Sequence, residues 1–172
     1  MKSINLFIFW RWLGVALLAA GSFAHAQSLP APKDRPILTM GGKIGVTNSG
    51  NKATFDMAML EALPQTVFTT QTPWDNQPIK FSGPLLRDVL AAVKANGTQI
   101  RATALNDYRI TIPVADAQRF NVIVATRMND QPMSVRTKGP LFIVYPFDSN
   151  PELKSTTYHE RSIWQLKAID VE

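Results

Sequence analysis

The clearest periodic pattern in the chain lies in residues 82–97. From Leu85, apolar side chains recur at i, i+1, i+4, i+5 and i+8, which places them on one face of a helix. Ser82 is a suitable N-cap, Pro84 suits a first turn, and Asn96-Gly97 provides an end. The pattern predicts an amphipathic helix packed against a core.

Alternation of apolar and polar residues predicts strands elsewhere. It is strongest in residues 99–105 and 108–114, on either side of Asn106-Asp107, and this arrangement predicts a β-hairpin. Residues 37–46 are predicted to form either a first strand or a hairpin with its turn at Gly41-Gly42. Further strands are predicted at residues 67–70, 79–81, 122–127, 141–145 and 162–171.

Two shorter helices complete the predicted elements. One covers residues 55–63, with Thr54 as its N-cap and Pro64 at its end, and the other covers residues 115–120. Short strands, few helices and frequent turn signals predict a single α+β domain that is mainly β.

The first 26 residues have the pattern of a secretory signal peptide. Lys2 gives a basic start, and the sequence AHA before Gln27 matches an A-x-A cleavage site. The apolar run after Arg11 is shorter than the roughly 20 residues that span a bilayer, so cleavage is favoured over a retained anchor. The sequence therefore predicts a periplasmic protein with a signal peptide at 1–26, a linker at 27–36 and one domain at 37–172.

Composition narrows the possible functions. Lys2 and Arg11 are the only charged residues of the predicted signal, so its removal lowers the formal net charge from +5 to +3. This excess is small and the chain has no Lys/Arg block, which argues against nucleic acid as a partner. The chain has no cysteine, and His159 is the one histidine of the predicted mature domain. Disulfides are therefore excluded, and a structural zinc or copper site is disfavoured.

Five short segments together carry a family resemblance. In their order and spacing they resemble the sulfite-oxidase-type, molybdopterin-binding fold family, and they are still more similar to a cysteine-free group of exported proteins with this fold. The likeness covers residues 37–171 and implies a sulfite-oxidase-like α+β fold with a pterin pocket. The segments are FTTQTPW at 68–74, SGP at 82–84, MNDQPM at 128–133, KGPLFIVYP at 138–146 and RSIWQL at 161–166.

The resemblance also marks the position of a metal ligand. In that family a cysteine shortly before a tryptophan holds the molybdenum, and the matching position here is Thr70. A threonine hydroxyl is a hard, neutral group of high pKa, whereas soft metal centres prefer thiolate. The resemblance therefore implies a metal-free pterin as the ligand, and the missing cysteine argues against a molybdenum cofactor.

Several residues are candidates for pterin contacts. Thr70 is either a hydrogen-bonding group of the pocket or an ordinary strand former. Trp74 is either a stacking platform for the flat ring or a core side chain. Asn106, Asp107 and Tyr108 suit the polar edge and the face of a pterin, and they equally suit a plain Asn-Asp turn.

The basic candidates are Arg127, Arg136 and Arg161. Guanidinium groups bind phosphate or carbonyl oxygens and stack on flat rings, although each arginine alone also fits a solvated surface position. Arg161 is preferred because Ser162 and Trp164 beside it resemble the segment that contacts the pterin phosphate in the family.

Three functions remain to be distinguished. The first is a periplasmic, non-catalytic pterin-binding protein that signals occupancy to a membrane partner. The resemblance implies that this partner is the sensor domain of a diguanylate cyclase or phosphodiesterase in cyclic-di-GMP regulation. The second is a molybdopterin-dependent oxidoreductase of the sulfite oxidase type, which the absent cysteine opposes. The third is a scaffold with an empty pocket. No catalytic triad, Walker loop or dinucleotide-binding turn is visible, so whether the protein is an enzyme stays open.

Overall fold

The structure is a computed structural model that describes residues 29–172. Within them, no helix is long and apolar enough to cross a membrane. The predicted signal peptide and the first two residues of the predicted linker lie outside the described residues. The elements are β1 (Leu38–Gly42), β2 (Ala53–Phe55), α1 (Met57–Glu61), β3 (Gln65–Thr70), β4 (Ile79–Pro84), α2 (Leu86–Ala92), β5 (Gln99–Ala104), β6 (Arg109–Pro113), α3 (Val114–Arg119), β7 (Ile123–Ala125), β8 (Arg127–Met128), β9 (Gln131–Pro132), β10 (Phe142–Val144), α4 (Thr156–Arg161), β11 (Ile163–Trp164) and β12 (Leu166–Val171), with 3-10 turns at Phe147–Ser149 and Pro151–Lys154.

The strands form three sheets, and the prediction of an α+β, mainly β fold is confirmed. The largest sheet has the order β2-β1-β12-β5-β6, in which β1 and β12 are parallel and the other neighbours are antiparallel. The other two sheets have the orders β11-β10-β7 and β3-β4-β8-β9. The parallel pair joins the first and last strands of the domain.

One continuous core of aliphatic and aromatic side chains lies between the sheets and helices. The predicted buried face of the main helix is confirmed, since Leu86 and Val89 of α2 are fully buried. Phe81 of β4 packs edge-on against Phe142 of β10, with ring centroids 5.6 Å apart. At Gly83 a Cβ atom would lie 2.2 Å from the carbonyl oxygen of the opposing strand β7. Glycine at this position therefore allows β4 and β7 to pack directly against each other.

The start of the main helix differs from the prediction. Ser82 and Pro84 belong to β4, and α2 begins at Leu86 with Leu85 as its N-cap. Ser82 pairs with Val67 of β3 on one side and with β8 on the other. The capping signals at residues 82–84 are overridden because this segment completes a central strand.

Of the two alternatives predicted for residues 37–46, the structure has the strand and not the hairpin. Gly41 and Gly42 continue β1 and pair with Asp170 and Val171 of β12, while the antiparallel partner of β1 is β2. Gly42 has φ 78°, and a Cβ atom there would lie 2.1 Å from the carbonyl oxygen of Val171. The glycines therefore serve close packing within the sheet, and they form no turn.

The first helix is shorter than predicted because Thr54 and Phe55 belong to β2. Asp56 is the N-cap of α1, and its Oδ1 accepts the N–H of Met59 at 2.8 Å. Its Oδ2 accepts the N–H groups of Lys33 at 2.8 Å and Asp34 at 3.1 Å. The same carboxylate thus caps a helix and fixes the segment that leads into the domain.

The C-terminal elements follow the prediction in part. The hairpin of β5 and β6 is confirmed, with Ile100 opposite Ile112, and the turn at Asn129-Asp130 joins β8 to β9. The last predicted strand is divided at Gln165, which has φ 53°. Its first part, β11, pairs with β10, and its second part, β12, joins the large sheet. The helix α4 was not predicted.

Candidate functional site

A surface cavity of about 370 Å³ lies where the β5–β6 hairpin, α4 and β11 meet the loop after β3. This volume falls near the lower end of the range for small-molecule pockets, roughly 300–1,000 Å³. The lining residues are Trp74, Ala104, Asn106, Tyr108, His159, Glu160, Ser162, Ile163 and Trp164.

Aromatic side chains form two walls of this cavity. The rings of Trp74 and Trp164 meet edge to face, with centroids 5.2 Å apart and an interplanar angle of 89°. Trp74 also packs edge-on against Phe142 and Phe147 of the core, at 6.1 Å in each case. Trp74 is 38% exposed and Tyr108 is 49% exposed. One part of the Trp74 surface therefore packs on the core, and another part lines the cavity.

The corner that carries Trp74 is held by a hydrogen-bonded ion pair. Nζ of Lys138 lies 2.7 Å from both carboxylate oxygens of Asp75, and the Thr72 hydroxyl donates to the same carboxylate at 2.6 Å. The N–H of Trp74 donates to the Thr72 hydroxyl at 3.3 Å. Partial burial opposes ionisation of Asp75, but the bonds from Lys138 and Thr72 outweigh it and hold the pKa of the carboxyl below its ordinary value. These bonds fix the backbone conformation of residues 72–75 and therefore the position of Trp74.

Thr70 does not line the cavity. It is 1% exposed; its hydroxyl accepts the N–H of Asp148 at 3.0 Å and donates to the carboxylate of Asp148 at 3.3 Å. The N–H of Gln71 donates to that carboxylate at 2.6 Å. This N–H, followed by the ammonium of Lys154, lowers the pKa of Asp148. The interaction fastens the end of β3 to the 3-10 turn at Phe147–Ser149.

Polar groups line the remaining walls. Oδ1 of Asn106 accepts the N–H of Tyr108 at 3.1 Å, and no hydrogen bond from its amide nitrogen is found within residues 29–172. The Ser162 hydroxyl is buried and donates to the carbonyl oxygen of Tyr158 at 3.0 Å. The cavity therefore offers an amide donor from Asn106 and an exposed carboxylate from Glu160 beside its aromatic walls.

Asp107 lies in the hairpin turn, which is the second of the two roles predicted for it. Its carboxylate forms an ion pair with Lys167 at 2.7 Å, and this bond lowers the pKa of Asp107. Asp107 has φ 65°, and its N–H donates to the carbonyl oxygen of Ala104 at 3.0 Å. This is the geometry of the left-handed residue that follows a type I turn in a three-residue hairpin loop. Asp107 shapes the turn between Asn106 and Tyr108 and does not line the cavity.

None of the three predicted arginines lines the cavity. Arg127 pairs with Glu61 at 2.8 Å on the surface, and Arg136 is exposed in the loop between β9 and β10. Arg161 donates to the buried carboxylate of Asp116 at 2.8 Å, which also accepts the hydroxyl of Tyr145 at 2.7 Å. Burial, followed by the hydrogen bond to Asp116, raises the pKa of Tyr145 far above its ordinary value.

The structure thus brings together half of the predicted contact residues. Those in the cavity are Trp74, Asn106, Tyr108, Ser162 and Trp164, and those outside it are Thr70, Asp107, Arg127, Arg136 and Arg161. Sequence reasoning assigned no role to Glu160 or Ile163. Glu160 lies on α4, for which Ser155 before a short polar run is only a weak signal.

A larger groove of about 710 Å³ lies between residues 29–33, α1 and α2. Its lining is mainly aliphatic, and it contains none of the predicted contact residues. The aromatic cavity is therefore the candidate binding site.

Residues 45–148, more than half of the chain, match the model of a family described as the oxidoreductase molybdopterin binding domain. No curated protein matches the chain. The matched span includes Trp74, Asn106 and Tyr108 but ends before α4 and β11. Glu160 and Trp164 therefore line the cavity from a part of the chain that the family model does not match.

Proposed function

Because the chain belongs to the oxidoreductase molybdopterin-binding domain family, we propose that it is a non-catalytic protein that binds a metal-free pterin. The observation that carries this proposal is the aromatic cavity at Trp74 and Trp164 in a chain that has no cysteine. Family membership supports a pterin-type ligand, and the side chains of the cavity suit that ligand.

The chemistry of a pterin matches the groups that line the cavity. Its flat bicyclic ring can pack against Trp74, Trp164 and Tyr108. Its amino-pyrimidinone edge has adjacent donors that suit the carboxylate of Glu160, and an acceptor that suits the amide of Asn106. Mostly apolar walls with a few polar groups are typical of small-molecule sites.

Molybdenum does not fit the residues that are present. The family resemblance places its ligand at Thr70, a neutral group whose hydroxyl is buried and bonded in both directions to Asp148. Within residues 29–172, no group of three or more His, Cys, Asp or Glu side chains could hold a metal ion. Without a thiolate the donor set lacks the soft ligand that such a metal prefers, so the oxidoreductase alternative is disfavoured.

We further propose that the protein is exported to the periplasm and signals its occupancy to a membrane partner. Exposed hydrophobic side chains near the cavity support a protein contact: Trp74, Leu105, Tyr108, Val135 and Trp164. Gln165 links several of them, since its carbonyl accepts the N–H of Leu105 and its amide donates to the carbonyl of Val135, both at 2.8 Å. The partner class proposed here, the sensor domain of a membrane cyclic-di-GMP enzyme, follows from the resemblance.

A thermal-shift titration with reduced pterins tests the binding proposal. Ligand at about 100 times its Kd stabilises the native state by about 2.7 kcal/mol, which corresponds to a rise in Tm of roughly 5–10 °C for a domain of this size. An unchanged Tm with every pterin would contradict the proposal and favour a scaffold with an empty pocket.

A further inference from the structure

The charge of the cavity lining restricts the ligand beyond its ring system. Within residues 29–172 the lining contains no lysine or arginine, and Glu160 is its one carboxylate. Glu160 is exposed and forms no ion pair or side-chain hydrogen bond with the described residues. The imidazole of His159 is the other titratable nitrogen or carboxylate group of the lining. An anionic group in this cavity would therefore meet the negative charge of Glu160 and no lysine or arginine of the described lining.

Arg161 lies between the lining residues Glu160 and Ser162 in the sequence, but its side chain binds a group outside the cavity. Its guanidinium binds Asp116, whose side chain is only 6% exposed, and it stacks 5.4 Å above the ring of Tyr158. Turning it toward a ligand would leave a buried carboxylate without its cation, which is strongly unfavourable. Arg161 is thus not free to bind a phosphate.

Other cations near the site are also paired. Lys138 binds Asp75 beneath the Trp74 corner, and Lys167 binds Asp107 at the hairpin tip, both at 2.7 Å. The charge of Arg109 on β6 acts on Asp107 as well. These groups lie outside the lining, so they provide no direct phosphate contact.

Building on the proposed function, we infer that the cavity selects pterins that carry no phosphate. A phosphate monoester carries a charge of roughly −1.5 to −2 at pH 7 and needs several strong donors. The described lining offers amide, imidazole, phenol and indole groups but no lysine or arginine, and it opposes the anion with the carboxylate of Glu160. Molybdopterin itself carries a phosphate. The site therefore disfavours that cofactor for two reasons, the charge of its phosphate and the lack of a thiolate ligand for its metal.

Calorimetric titration of the exported protein with 7,8-dihydroneopterin and with its monophosphate tests the inference. We expect the phosphate to weaken binding at least about tenfold at low salt, and added salt to narrow the difference by screening. Equal or tighter binding of the monophosphate would overturn the inference while leaving the proposed function intact. Binding of neither compound would overturn the proposed function as well.

The variant Glu160→Gln identifies the source of the selectivity. It keeps the shape of the side chain and removes its charge, so the ratio of the two affinities is expected to shrink about three- to tenfold. Asp34→Asn is the matched control, because it removes an equal charge from an exposed residue beside α1 and should leave the ratio unchanged. An unchanged ratio in Glu160→Gln would contradict the electrostatic explanation.

Discussion

At the scale of single residues, two arginines that were both predicted to contact the ligand have different environments. Arg161 faces the buried carboxylate of Asp116, whereas Arg127 forms a surface pair with Glu61 in which both side chains are over a third exposed. Breaking a buried pair leaves an uncompensated charge, while exposed pairs contribute little. The two arginines should therefore differ in their contribution to stability, and neither should contact the ligand.

Replacement of each arginine by alanine tests this contrast. We expect Arg161→Ala to lower the free energy of unfolding by about 2–3 kcal/mol, and Arg127→Ala by less than about 1 kcal/mol. Urea unfolding measures both values. If Arg161→Ala instead kept its stability and lost pterin binding, Arg161 would be a ligand contact and its structural role would be refuted.

Trp164 is expected to contribute to binding more than to folding. Its side chain is 36% exposed and lines the cavity, so Trp164→Ala should weaken pterin binding about tenfold, which corresponds to about 1.4 kcal/mol. Titration by calorimetry measures the change. Val67→Ala removes another exposed apolar side chain, on β3 and away from the lining, and should leave binding unaltered. An equal loss in both variants would point to a general effect on the fold.

At the scale of elements, local patterns predicted some parts of the fold and failed at others for physical reasons. The β5–β6 hairpin and the buried face of α2 depend on residues that are close in sequence. The alternation of apolar residues and their helical spacing were therefore sufficient to predict them. The glycines at 41–42 and the segment at 82–84 depend on distant strands, namely β12, β7 and β8. A capping or turn signal cannot show that a remote strand will occupy the same space.

The candidate site was predictable to a similar extent. Four of its residues have aromatic or amide side chains whose chemistry suits a flat ligand, and this is visible in the sequence without knowledge of the fold: Trp74, Asn106, Tyr108 and Trp164. The pairing of Arg161 with Asp116 joins residues 45 positions apart, and that of Thr70 with Asp148 spans 78 positions. The sequence gives no sign of these partners, and they remove both residues from the cavity.

The carboxylate of Asp148, which accepts the N–H of Gln71 and binds the ammonium of Lys154, gives a pH dependence that can be measured. The native pKa of Asp148 lies below its ordinary value of 3.8, so its stabilising effect is complete above the unfolded pKa and is lost as the pH falls through the native pKa. Asp56, whose pKa is lowered by the N–H of Asp34 and then by that of Met59, acts in the same direction. The free energy of unfolding should therefore decrease below about pH 4.

Asp148→Asn is expected to reduce this acid-dependent decrease, as followed by urea unfolding from pH 7 to pH 2.5. Asp130→Asn is the control, since Asp130 forms only an exposed pair with Lys80. If the pH dependence of Asp148→Asn matched that of the control, the interactions of the Asp148 carboxylate would not be a source of the acid-dependent stability.

At the scale of the whole molecule, the cavity joins segments that are far apart in the chain. The loop after β3, the β5–β6 hairpin and the α4–β11 segment all contribute side chains, while the parallel pairing of β1 with β12 closes the domain. Ligand binding should therefore stabilise the domain as a unit, and the exposed rim is the surface where a partner could detect it.

Export predicts a defined start for the mature protein. Cleavage after Ala26 would leave Gln27 as the first residue, and the intact mass of protein recovered from a periplasm measures this directly. Recovery of the full 172-residue chain in the membrane fraction would show a retained anchor instead.

The central claim is that the cavity holds a pterin without molybdenum. Protein purified from a periplasm would be denatured, and the released small molecules would be identified by fluorescence-detected chromatography and mass spectrometry, with elemental analysis of the same sample. We predict a pterin without phosphate, and no molybdenum. Stoichiometric molybdenum together with molybdopterin would contradict the account and identify the protein as an oxidoreductase.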